Sequence, residues 1–146
     1  MRVYLDCCCL QRPFDDRSQP RIAVEAEAVL VVLAMCESGA VRLLSSDALR
    51  FEIDLIPGEA RKDNALAVLK LASELIEITM TIEALALKLG AEGLKPLDSL
   101  HLASASVAKA DYFCTCDDRL LRKAGGLTGL DTKVVSPVEL VMELDR

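Results

Sequence analysis

Apolar residues fall into short continuous runs that alternate with longer stretches of helical spacing. Val3-Tyr4-Leu5, Val41-Arg42-Leu43-Leu44-Ser45, Tyr112-Phe113-Cys114-Thr115 and Lys133-Val134-Val135 are brief and carry β-branched or aromatic residues, which predicts strands. Between them the spacing predicts a long helix from about Arg21 to Gly39, a short one over 48–53 capped by Ser46 or Asp47, and further helices over Glu59 to Leu75 and Ile82 to Leu89. Pro96 suits a first helical position, so a helix is expected from there through Ala110; Leu120 to Ala124 and a terminal segment opened by Ser136-Pro137 complete the set. Alternating β and α elements without an internal repeat predict an α/β fold, a three-layer α/β/α sandwich around a parallel sheet.

The helix opened by Pro96 organises this pattern. Almost every side chain from Leu97 to Ala110 is small or apolar, so it is expected to pack on more than one face. Asp98 falls in its first turn, where free N–H groups and the positive end of the helix dipole favour a carboxylate. The strand that follows ends at Asp117-Asp118, an acid pair able to cap the next helix. Asp6 ends the first strand, and Glu52 lies less than two turns beyond the second.

Size and charge narrow the functional classes. With 146 residues, 52% of them apolar, the chain is expected to form one domain, 1–146, around one core. A net charge of −6 argues against a broad basic field as the source of any nucleic-acid affinity, so such contacts must be local. Arg12, Arg17 and Arg21, with Arg119, Arg122 and Lys123, follow the strands that carry Asp6 and Asp117 and can supply them; Arg12 and Arg119 are the substrate-binding candidates. No charged-then-apolar leader and no run of 18 apolar residues is present, so a soluble cytoplasmic protein, not a membrane protein, is expected. Cys7, Cys8, Cys9, Cys36, Cys114 and Cys116 lack the spacing of a disulfide framework. No C-x-x-C pair occurs and His101 is the sole histidine, so these thiols read as small buried residues.

Asp6, Glu52, Asp98 and Asp117 come from four separate segments, three of them near strand ends that a parallel sheet gathers on one edge. Carboxylates brought together repel unless a cation compensates, and oxygen-only ligands suit Mg²⁺ or Mn²⁺. Such a centre activates water for in-line attack on a phosphodiester. Asp118 can share the role of Asp117. His101, three residues after Asp98, is read as a packed, hydrogen-bonded histidine.

These residues resemble the PIN-domain ribonucleases, the family that includes the toxins of VapBC toxin–antitoxin pairs. The resemblance rests on Val3-Tyr4-Leu5-Asp6, on Ser46 through Phe51-Glu52-Ile53, on Leu97-Asp98-Ser99-Leu100-His101-Leu102-Ala103 and on Thr115-Cys116-Asp117, in that order along most of the chain. It implies a metal-dependent endoribonuclease in which Asp6, Glu52, Asp98 and Asp117 form an acidic quartet and Thr115 steadies it through its hydroxyl. It also implies RNA as substrate, a cognate antitoxin as partner and a homodimer. Cys7-Cys8-Cys9 departs from the hydroxyl or amide residue that commonly follows the first acid. A haloacid-dehalogenase-type phosphatase would need an aspartate where Cys8 stands; a response-regulator receiver would need an acidic pair after the first strand and a lysine after the last, whereas Lys133 precedes Val134-Val135. The remaining alternative is a PIN-like domain that serves as a protein-interaction module.

Overall fold

The computed structural model describes all residues, Met1–Arg146. Five strands, β1 (Arg2–Leu5), β2 (Arg42–Ser46), β3 (Glu74–Ile76), β4 (Tyr112–Cys114) and β5 (Lys133–Val135), form one parallel sheet in the order β3-β2-β1-β4-β5. Eight helices connect and cover them: α1 (Cys7–Gln11), α2 (Pro20–Glu37), α3 (Asp47–Asp54), α4 (Glu59–Leu69), α5 (Met80–Ala91), α6 (Pro96–Val107), α7 (Asp118–Ala124) and α8 (Pro137–Leu144). This is the α/β sandwich that the alternating pattern predicts.

The first strand occupies the centre of the sheet, and Val3, Tyr4 and Leu5 are all fully buried. Continuous apolar character rather than alternation is what a strand covered on both faces requires. Tyr4 aligns with Leu44 on one side and with Phe113 on the other, and its ring stacks on that of Phe113 with centroids 5.3 Å apart. The register sets the carboxyl ends of β1, β2 and β4 side by side, so Asp6, Ser46 and Thr115 leave the sheet along one edge.

Helix α6 buries Ser99, His101, Leu102, Ala103, Ser104, Ala105 and Ser106, as its small-residue composition predicts. It stops at Val107, three residues short of the expected end. Lys109 takes a left-handed conformation (φ 57°), which turns the chain into β4. The Arg2 guanidinium holds this turn by donating to the carbonyls of Ala108 and Lys109, at 2.7 and 3.2 Å.

Two local expectations are corrected. The helix predicted from Glu59 to Leu75 ends at Leu69, and residues 74–76 form the edge strand β3 instead. Helical spacing continues through Ala72, but tertiary partners decide the outcome: the Ser73 N–H donates to the Leu43 carbonyl, and Glu74 accepts two hydrogen bonds from Arg2, each 3.0 Å long. The chain after Asp6 carries an unforeseen helix, α1, because the Asp6 side chain caps it from the end of β1.

Truncating the tightest packing contact tests this architecture. Phe113→Ala should destabilise the protein by about 3–5 kcal/mol, lowering Tm by roughly 10 °C. Leu87→Ala, on an exposed face of α5, should change stability by less than about 0.5 kcal/mol. Thermal unfolding followed by circular dichroism measures both, and equal losses would refute the assigned core.

A candidate acidic metal centre

Asp6 is 6% exposed and is held by both of its oxygens. Oδ1 accepts the Cys7 backbone N–H at 2.8 Å, and Oδ2 accepts the Thr115 hydroxyl at 2.9 Å. The Cys8 thiol lies 3.7 Å from Oδ2 and 3.5 Å from the Thr115 hydroxyl oxygen, the place where a hydroxyl or amide side chain was expected. Burial pushes the Asp6 carboxyl well above the usual range, and Cys8 and Glu52 add to it, against the opposing pull of His101 and of the Thr115 hydrogen bond.

Glu52 projects from α3 and meets the one histidine. His101 Nε2 stands 2.6 Å from Glu52 Oε1 and 3.9 Å from Asp6 Oδ1, with the imidazole fully buried. Its Nδ1 is 2.6 Å from the Tyr4 hydroxyl, which is 2.6 Å from Ser46 Oγ. Ser46 Oγ in turn accepts the Leu49 N–H at 3.0 Å and so caps α3.

Two proton arrangements satisfy this chain. With neutral imidazole, Ser46 donates to Tyr4, Tyr4 donates to Nδ1 and Nε2–H donates to Glu52. With imidazolium, Nδ1–H donates to Tyr4 and Tyr4 donates to Ser46. Burial opposes the imidazolium, but the Glu52 hydrogen bond and the charges of Asp6, Glu52 and Asp98 outweigh it and raise the His101 pKa. The imidazolium is thus the counter-charge that the protein itself supplies between Asp6 and Glu52.

Asp98 and Asp117 complete the acidic edge from the solvent side. Asp98 is half-buried in the first turn of α6, and burial, then the charge of Asp117, raises its pKa. Asp117 caps α7, its Oδ1 accepting the N–H groups of Arg119 and Leu120 at 2.9 and 3.3 Å. Both line a cleft bordered by Lys95, Arg119 and Lys123. The charges of Glu52 and His101 reach Asp98 and couple the two halves electrostatically.

The remaining candidates lie elsewhere. Asp118 makes a two-pronged pair with Arg21, at 2.6 and 2.7 Å, which holds its carboxyl below the usual range; it faces away from the other acids. Arg12 is engaged by Asp15 at 3.0 Å and Glu25 at 3.4 Å. Arg119 is exposed at the cleft. Tyr4, Ser46 and Cys8 touch the centre through contacts that the sequence did not reveal, because their partners lie 42 to 107 positions away in the chain. His101 is packed and hydrogen-bonded as expected, but to Glu52 and Tyr4 rather than to the helical neighbour Asp98.

Asp6, Glu52 and His101 present ligand atoms within 4.8 Å of one another and can hold a metal ion. The donor set fits a divalent ion, because two carboxylates supply anionic oxygens in a partly water-excluded pocket where one imidazolium is their only close counter-charge.

A parallel sheet with an acidic cluster at its carboxyl edge defines the class as an α/β sandwich. The PIN domain profile matches residues 3–126, and the chain belongs to the PIN domain family. No curated protein matches the sequence. Among solved structures, the fold is similar to a chain in FitAB bound to an IR36 DNA fragment, with TM-score 0.58 and 17% identity over 92% of this chain and 94% of that one. It is also similar to a chain of VapBC2 from Rickettsia felis bound to a DNA fragment from their promoter, with TM-score 0.55 and 13% identity over 93% and 98%.

One imidazole in the sequence makes its titration directly readable. In metal-free protein His101 should titrate above the ordinary 6.5, and Glu52→Gln should bring it down toward or below that value as burial gains the upper hand. A group whose folded pKa is raised stabilises the fold fully below its unfolded pKa, and that stability is lost as pH rises through the folded pKa. Burial-raised Asp6 and Asp98 act with the same sign. Metal-free protein should therefore melt at progressively lower temperature as pH rises past about 6.5. NMR of the imidazole and melting curves in chelator check this; a histidine titrating below 6.5 refutes the counter-charge role.

Proposed function

We propose that the chain is a Mg²⁺- or Mn²⁺-dependent endoribonuclease of the VapC type, the toxin of a toxin–antitoxin pair. The observation that carries this reading is the juxtaposition of buried Asp6 and His101 and half-buried Glu52 with Asp98 and Asp117 at the mouth of a cation-bordered cleft. Asp6, Asp98 and Asp117 would hold the ion, and Glu52 would orient the attacking water or a second ion. Thr115 and the Cys7 N–H fix the Asp6 carboxylate, so its geometry is set before any ligand arrives. When bound, the ion supplies Lewis acidity at the phosphodiester and makes water a stronger nucleophile. With an ion bound beside Asp6 and Glu52, His101 would release its Nδ1 proton to solvent, and the Tyr4–Ser46 hydroxyls would reorient to keep the neutral ring bonded. Lys95, Arg119 and Lys123 bind the flanking phosphates of single-stranded or looped RNA.

The two similar structures, FitAB and VapBC2, are complexes bound to DNA, which supports a small antitoxin as partner. An arginine-bearing antitoxin segment that enters the cleft and pairs with Asp98 and Asp117 would block the centre, and the toxin is expected to pair as a homodimer. Its affinity should fall with rising salt and on loss of Asp117.

The activity test is a mixed RNA pool incubated with purified protein and Mn²⁺. Cleavage should disappear in EDTA, and Asp6→Asn, Asp98→Asn and Asp117→Asn should each nearly abolish it, with a double variant little worse than a single one. Intact RNA across a broad pool, from protein that still binds Mn²⁺, would favour an interaction module. A second readout is stability: at pH 8, Mn²⁺ at about 100 times its dissociation constant should add about 2.7 kcal/mol, and Asp6→Asn should lose this gain. Identical melting with and without Mn²⁺ would remove the metal centre.

A further inference from the structure

Four cysteines, Cys8, Cys9, Cys114 and Cys116, meet behind the acidic centre, and three of them form a compact group. Cys8 and Cys9 come from the first turn of α1 and Cys116 follows β4; their sulfurs all lie within 4.8 Å of one another. Cys9 Sγ is 3.6 Å from Cys116 Sγ, and the Cys116 backbone N–H donates to Cys8 Sγ at 3.3 Å. All are free thiols. Zinc–thiolate bonds of about 2.3 Å at tetrahedral angles place ligand sulfurs about 3.8 Å apart, so the closest pair already has the separation that such an ion imposes.

Charge and access fit as well. Three thiolates around a divalent ion leave one negative charge, and the guanidinium of Arg12, which also pairs with Asp15 and Glu25, faces Cys116 and moderates it. Thiol protons leave to solvent as the ion enters. Cys9 and Cys116 are buried while Cys8 is half-buried, which leaves one side of the group open for entry and for a water in the fourth position. Hard and soft donors are kept apart: carboxylates line the edge occupied by Asp6, and sulfurs occupy the pocket beneath it.

We propose that Cys8, Cys9 and Cys116 form a second metal site, selective for a thiophilic divalent ion of the zinc class and distinct from the carboxylate centre. Cys8 joins the two, since its sulfur also faces Asp6 Oδ2 and the Thr115 hydroxyl. An ion on the thiols draws Cys8 away from Asp6, so the soft site adjusts how firmly the first acid is held.

Cobalt titration of the full, reduced and chelator-treated chain tests this under anaerobic conditions. Expected are an intense thiolate-to-cobalt charge-transfer band and the ligand-field bands of a tetrahedral ion, both erased by an equivalent of Zn²⁺ and untouched by millimolar Mg²⁺. Cys9→Ser and Cys116→Ser should lose the charge-transfer band; Cys36→Ser should keep it. Asp98→Asn should keep it too, which separates this site from the carboxylate reading. X-ray absorption of the zinc-loaded parent, independent of any variant's folding, should show a sulfur shell at about 2.3 Å. An octahedral cobalt spectrum without charge transfer, or a zinc shell of oxygen and nitrogen alone, would overturn the proposal.

Discussion

A nearly buried carboxylate at the end of the central strand is the constraint around which this protein is arranged. Asp6 cannot move to water without pulling β1 out of the sheet, because its own N–H donates to the Cys114 carbonyl and its side chain caps α1. Its charge must be answered in place. The Cys7 N–H and the Thr115 hydroxyl answer part of it by hydrogen bonding, and the imidazole shared with Glu52 answers the rest. Much of the surrounding structure serves to hold these partners: Tyr4 and Ser46 orient the ring, and α6 brings it in on a helix packed by small residues.

Seen this way, the four acids divide into two functional halves. Asp6 and Glu52 form the enclosed half, with a fixed hydrogen-bond network and a protein-borne counter-charge; Asp98 and Asp117 form the open half, beside lysine and arginine side chains. Residues 3–126 assign the chain to the PIN domain family. The sulfur pocket beneath Asp6 is written in this chain's own Cys7-Cys8-Cys9 run.

Much of the fold was legible because parallel strands buried on both faces are short continuous apolar runs, and β1, β2, β4 and β5 all have that character. β3 was hidden because Glu74-Leu75-Ile76 continues a helical spacing; its pairing to β2 and the Arg2–Glu74 bridge are properties of the fold. The acids at strand ends could be named from order alone. The partner of His101 could not, since spacing along α6 points to Asp98 whereas the ring turns toward Glu52, 49 positions away. Asp118 and Arg12 likewise looked free in sequence, and each is occupied by an ion pair that only tertiary structure creates.

The strand that is first in sequence lies in the middle of the sheet, and this gives assembly a direction in time. β1 finds β2 early, but its other edge is filled only by β4, with Arg2 and Asp111 joined across 109 positions. Thr115 and Asp117 arrive later still. A chain emerging from the ribosome therefore carries Asp6 and Glu52 long before it carries the residues that hold and complete them. Whatever the acidic edge does, it does only once Asp117 has followed Asp6 by 111 positions, so the order of the strands acts as a timer on its completion.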